Sequence, residues 1–197
     1  MKNFISLFAI LFAINFSSNA FSQNWTLDNT HSKIEFSVLH LLISDATGNF
    51  KSFDGKFNVK NDDFTDTDVE FTIDVNSINT DNENRDGHLK SDDFFNAEKY
   101  PTIKFKSKSF KKIGDKNFKL IGDLTIRDST KTVEWDATYG GTTVAWGQPH
   151  AGFKLKSVIN RFDFGLKWDK TVEAGGLMVG KDVTITVSVE LVKKEKK

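Results

Sequence analysis

The chain contains no cysteine. That absence removes disulfides, thiol nucleophiles and thiolate metal ligands together. A chain of 197 residues is long enough to bury a sufficient apolar core without them. A cysteine-free exported protein fits a bacterial envelope better than a eukaryotic extracellular space. Net charge is also missing: 27 basic residues balance 27 acidic ones, which argues against nucleic acid as the main partner. Beyond the N-terminal segment no run is long and apolar enough to cross a bilayer as a helix. No Gly-x-Ser-x-Gly elbow occurs. Gly175 to Gly180 lacks the Lys-Ser/Thr that completes a phosphate loop. The four histidines, His31, His40, His88 and His150, are scattered, with no pair at metal-ligand spacing. Neither an enzyme nor a metal site is therefore expected.

The N-terminus has the layout of a secretion signal. Lys2 precedes an apolar run from Phe4 to Phe16, too short to span a bilayer as a mature helix. Small residues follow around Ala20 and Ser22, where cleavage is expected, and no cysteine follows that would carry a lipid anchor. The expected organisation is a signal peptide at 1–22, one domain at 23–192 and a basic tail at 193–197. The mature protein is expected in the periplasm or outside the cell.

A period of two dominates the rest. Ile34, Phe36 and Val38 alternate with polar neighbours, as do Phe53, Phe57 and Val59, and Val69, Phe71, Ile73 and Val75. Ile103 and Phe105 follow, then Phe118, Leu120, Leu124 and Ile126, Val133, Trp135 and Ala137, and Ala151, Phe153 and Leu155. Val183, Ile185, Val187, Val189 and Leu191 close the series. Short turns such as Gly114-Asp115-Lys116-Asn117 and the absence of long crossovers indicate an antiparallel sheet. Eight such strands close into a barrel just wide enough for packed side chains or one slender ligand. The 19 phenylalanines suit either a broad apolar interior or a solid core, and composition does not separate the two. One elongated cavity is expected. Its lining is Phe36, Val38, Phe57, Phe71, Ile73, Ile103, Phe105, Leu120, Leu124, Ile126, Trp135, Phe153, Leu155, Ile185 and Val187.

Two segments interrupt the alternation. Residues 39–49 read as a short helix or loop. Residues 80–99 read as a helical insert in two pieces, with capping-box spacing at Thr80-Asp81-Asn82-Glu83, a break at Gly87 and a second start at Ser91. Asp92 and Asp93 then serve as helix-start charges. The only arginines are Arg85, Arg127 and Arg161. Arg127 falls in a tight turn. Arg85 and Arg161 fall at element boundaries, where with His88 they form a candidate polar mouth able to hold a phosphate. Pairing with nearby acids is the structural alternative. Residues 99–119 carry eight lysines against Asp115 alone, a stretch suited to transient contact with a membrane surface or to a solvated strand face.

Longer motifs add a resemblance. Trp25 to Val38 forms an opening strand, continued by His40-Leu41 and Gly48-Asn49-Phe50. Ser77-Ile78-Asn79-Thr80, Arg85-Asp86, His88-Leu89-Lys90-Ser91, Asp93-Phe94-Phe95 and Tyr100-Pro101 form a central signature. Gly122 to Ile126 and Ile159 to Gly165 complete it. This pattern resembles the YceI-like family of bacterial secreted proteins over almost the whole mature chain. One departure is Asp128-Ser129 where the family usually has Gly-Val. The resemblance implies an all-β, eight-stranded antiparallel lipocalin-like barrel with a short helical insert. It also implies binding, storage or transport of a long-chain polyisoprenoid, of isoprenyl-phosphate or quinone type, with no cofactor required. The alternative is an enzyme or accessory factor acting on such a lipid.

Overall fold

The computed structural model describes residues 25–173 and 175–194. The expected signal peptide and the last residues of the basic tail lie outside the described residues. Strands β1 (Trp25–Leu27), β2 (Lys33–His40), β3 (Ser44–Phe50), β4 (Phe53–Asn58), β5 (Asp68–Asp74) and β6 (Ile78–Asn79) come first. Helix α1 (Glu83–Lys90) follows. Strands β7 (Thr102–Lys112), β8 (Asn117–Ile126), β9 (Ser129–Ala145), β10 (Gln148–Asn160) and β11 (Val179–Lys193) complete the chain. No helix of the described residues is long and apolar enough to cross a membrane.

Eight antiparallel strands close a barrel in the order β1-β4-β5-β7-β8-β9-β10-β11, and β11 returns to β1. Side chains alternate about the wall because the pleat has period two. β8 shows this cleanly: Phe118, Leu120, Gly122, Leu124 and Ile126 are buried, while the intervening residues are half-buried or exposed. Gly122 is required where two strands crowd. A Cβ there would lie 2.5 Å from the Phe105 ring and 2.5 Å from the Lys106 carbonyl oxygen.

β11 is longer than its partners and forks between them. Leu191 to Lys193 pair with β1, whereas Val179 and Val183 to Ser188 pair with β2. β2 in turn pairs with β3, and β3 with the two-residue β6. One half of the barrel is therefore a closed ring. The other half ends in the short edge of β6, and α1 with its following turns lies beside that edge.

Residues 39–49 differ from the expected helix or loop. They hold the end of β2, a tight turn and β3. The polar sequence Ser-Asp-Ala-Thr-Gly-Asn carries no apolar alternation, so pairing with β2 sets this strand rather than its own pattern. The turn puts Leu41 and Leu42 at φ 51° and 66°, and Ile43 N–H donates to the His40 carbonyl.

The insert differs too. α1 is a single helix that runs through Gly87, and its N-cap is Asn82, whose side chain accepts from Arg85 N–H. Thr80 instead takes a buried position outside the helix. Ser91 closes the helix rather than opening a second one. Asp92 pairs with Arg127 and accepts from Asn96, while Asp93 meets His88, so neither serves a helix start.

Candidate ligand-binding site

The interior holds two apolar cavities in line. The upper one, of about 140 Å³, lies toward α1 and is lined by Phe36, Val38, Ile73, Ile103, Leu124, Ile126 and Ile185. Ile34, Glu35, Phe50, Leu89, Phe94, Phe95, Ile159, Leu166, Val179 and Val183 add to its wall, and Arg161 borders it. The lower one, of about 60 Å³, is lined by Phe57, Leu120, Phe153 and Leu155, with Phe64, Thr67, Val69, Phe110, Val189 and Leu191. Phe71, Phe105, Trp135 and Val187 face both. These four form a waist, in which the Phe105 and Trp135 rings meet edge to face at 6.0 Å. The single elongated cavity expected from the sequence is thus divided at the level of these four residues. The lower end is plugged by stacked Phe110 and Phe118 (4.8 Å) and by Phe64 against Phe153 (5.1 Å).

Arg161 sits at the upper cavity and is only 3 % exposed. The 3-10 turn Arg161–Phe164 places it: Asn160 caps the turn by accepting from Phe162 N–H, and Gly165 ends it at φ 74°. The guanidinium donates to three backbone carbonyls, from Nε to Gly180 (2.9 Å), from one Nη to Leu166 (2.7 Å) and from the other to Val179 (2.9 Å). The Phe162 ring covers it at 4.2 Å. Burial pushes its pKa below the ordinary arginine value, and Asp169 partly opposes the shift. Arg161 therefore ties the 3-10 turn, β11 and the following loop together at the cavity wall through backbone carbonyls rather than through an ion pair with the nearby Asp163.

Arg85 and His88 are on α1 and exposed. Both border a groove of about 330 Å³ over the upper cavity, bounded also by His40, Thr80, Asn84 and Trp168. Groove and cavity share Phe36, Val38, Leu89, Phe94 and Val179. Arg85 donates to the Thr80 hydroxyl (2.8 Å) and carbonyl (2.7 Å), and that hydroxyl donates to Asp86 (2.6 Å). His88 lies 2.8 Å from Asp93 and edge-on to Phe94 and Trp168. Arg85 and His88 thus share one groove, whereas Arg161 lies deeper.

Arg127 matters more than its turn position indicated. Its guanidinium donates to the carbonyls of Asp92, Phe94 and Gly165 at 2.9–3.0 Å and pairs with the Asp92 carboxylate at 3.0 Å. It clamps the turns after α1 to the barrel rim. The signal available in the sequence was its rarity, since it is one of only three arginines. Phe94, Leu89 and Trp168, also at the site, lie in non-alternating segments that carry no periodicity.

Histidines gather elsewhere. The side chains of Asp28, His31 and Glu190 lie within 4.8 Å of one another, and His150 reaches Glu190 at 2.8 Å. The Asp28 hydrogen bond holds the His31 pKa above its ordinary value. None of these residues lines either cavity. Three of the six lysines of β7 and β8 are paired across the sheet, Lys106 with Glu70, Lys108 with Asp123 and Lys119 with Asp136.

A closed antiparallel barrel with an apolar interior and a polar-edged groove at one end is the class of architecture this protein adopts. The YceI-like domain model matches residues 25–191, and the chain belongs to that family. The UPF0312 protein SA2479 of Staphylococcus aureus strain N315 is 37% identical over 169 residues, covering 85% of this chain and 96% of that protein. The crystal structure of the Campylobacter jejuni YceI protein superposes with a TM-score of 0.69 at 34% identity, over 80% of this chain and 90% of that one. A polyisoprenoid binding domain from Saccharophagus degradans shares the fold, with a TM-score of 0.62 at 13% identity, over 87% of this chain and 99% of that one.

Proposed function

We propose that the protein binds, stores or carries a long-chain polyisoprenoid or a related amphiphile of isoprenyl-phosphate or quinone type, in the periplasm or outside the cell. The observation that carries this reading is the interior. Two in-line cavities are walled by hydrocarbon and continue toward a groove edged by Arg85 and His88. Each buried methylene of a ligand contributes up to about 0.8 kcal/mol, less the cost of ordering a flexible chain. Hydrocarbon walls favour binding over the alternative of an enzyme acting on the lipid. The fold shared with a polyisoprenoid binding domain supports the same ligand class.

The resting upper cavity matches a benzene-sized occupant, for which about 150 Å³ suffices. A long chain is therefore admitted as the waist and the forked half of the wall part. Arg85 and His88 meet the ligand's polar end in the groove. Loading uses the β2–β3 turn, where Leu39, Leu41, Leu42 and Ile43 are exposed beside the groove, Ile43 at 83 %. Such a tip suits the membrane interface from which an isoprenoid is collected.

Native mass spectrometry of the protein purified from its own host tests the reading. An isoprenoid bound at one per chain is the expected result. Recovery of the free protein together with failure to take up added isoprenoids would end it. Comparing Arg85→Gln and His88→Gln for an isoprenyl phosphate and the matching alcohol tests the groove, where selective loss of phosphate preference is expected.

A further inference from the structure

Trp135 is 6% exposed, and its indole Nε1 is buried with no hydrogen-bond partner among the described residues. It is the only such buried side-chain atom found there. Buried donors in folded proteins are nearly always paired, because an unpaired one forfeits its hydration. This one belongs to the ring that faces both cavities at the waist. Its neighbours are Phe71, Phe105 and Val187, which offer no acceptor, and the strand partner opposite is Leu120. A phenylalanine would fill an apolar waist without that liability. Tryptophan keeps a donor at a waist whose other three side chains are hydrocarbon.

We infer that Trp135 is a specificity residue whose Nε1–H donates to an oxygen acceptor carried by the ligand inside the barrel. The inference rests on the proposed lipid-binding reading and narrows it. The preferred ligand carries a carbonyl or comparable oxygen at the level of the waist, beyond the polar end held at the groove or in place of it. A purely hydrocarbon segment leaves the donor unpaired and binds less well. Arg161 borders the same upper cavity, but its three carbonyl partners already hold it to the wall. Trp135 has no such commitment.

The test uses a matched ligand pair: an isoprenoid ketone and the analogue in which the carbonyl is a methylene. Both are titrated into the unmutated protein and into Trp135→Phe, with thermal melting confirming that the variant folds. The unmutated protein is expected to prefer the ketone by about tenfold, which converts to about 1.4 kcal/mol. In Trp135→Phe the ketone-over-methylene preference should fall to near one, whatever the change in affinity common to both ligands. Nitrogen-15 spectra give an independent readout: the Trp135 indole signal, assigned by its loss in the variant, should shift on adding ketone and not the analogue. Equal affinity of the unmutated protein for both ligands overturns the inference. So does a ketone preference that persists in Trp135→Phe, or an indole proton held by exchanging water in the presence of ketone. Failure of both ligands to bind the unmutated protein would instead strike the lipid-binding reading itself.

Discussion

Replacing Arg161 by methionine separates a structural arginine from a ligand anchor. The substitution keeps an unbranched apolar stem and removes the donors. Three backbone carbonyls, of Gly180, Leu166 and Val179, then lose their partners in a site where the arginine is only 3 % exposed. Hydrogen bonds from a charged donor contribute about 1.5–3 kcal/mol each. Relief of the buried charge and the apolar methionine offset part of the loss. A net destabilisation of about 3–4 kcal/mol follows, a large share of the roughly 5–15 kcal/mol that holds a domain folded. With a urea slope of about 2 kcal/mol per molar, the midpoint should fall by about 1.5–2 M. Tryptophan fluorescence during urea unfolding measures this. Arg161→Lys should fall between the two, since one ammonium cannot reach three carbonyls in that fork. A midpoint that moves by less than about 0.3 M, with isoprenoid binding abolished, would refute the reasoning and return Arg161 to the role of head-group partner.

Other expectations follow from the same geometry. Phe105→Glu places an unpaired charge at the waist, so isoprenoid co-purification should vanish; a folded variant, verified by circular dichroism, that still carries its lipid would count against the cavity. Leu41→Asn with Leu42→Gly suits a turn with positive φ at both central positions, and should raise the melting midpoint by about 3–6 °C while weakening association with lipid vesicles. A lower midpoint would show that the leucines pack rather than strain the turn. Asp68, hydrogen-bonded to Lys60, and Asp123, hydrogen-bonded to Lys108, have carboxyl pKa values below the ordinary one. Depressed carboxyls stabilise the fold above the ordinary carboxylate range and lose that effect as pH falls through their folded values. The melting midpoint should hold down to about pH 5 and decline below about pH 4, and less steeply in high salt. A midpoint that rises over that interval would contradict the assignment.

How much of this was legible depended on which segments alternate. On β8, apart from Gly122, and on β11 from Val183 to Leu191 every second residue is apolar, and the pleat turns that period directly into an inner face. The two-fold pattern says nothing about level along the barrel axis, so it could not show that Phe71, Phe105, Trp135 and Val187 meet at one height and divide the cavity. β3 was hidden because it is polar and takes its conformation from β2. The insert was misjudged in detail because Thr80 satisfies the spacing of a cap while its hydroxyl is committed to Arg85 and Asp86. Arg127 reaches residues more than thirty positions away in sequence, a contact that no local pattern records.

The fork in β11 gives the two halves of the molecule different freedom to vary. In the ring half each strand is pinned on both sides, so a length change in one strand must be matched by its neighbours. The half bounded by β6 has no such closure condition, and segments there can lengthen, shorten or shift without breaking the ring. Homologues that accommodate bulkier ligands should therefore differ most in β3, β6 and the residues around α1. Amide exchange should follow the same division, slowest where β8, β9 and β10 run side by side and fastest along β3 and β6. A barrel of this kind keeps its fold and its ligand range under separate sequence control.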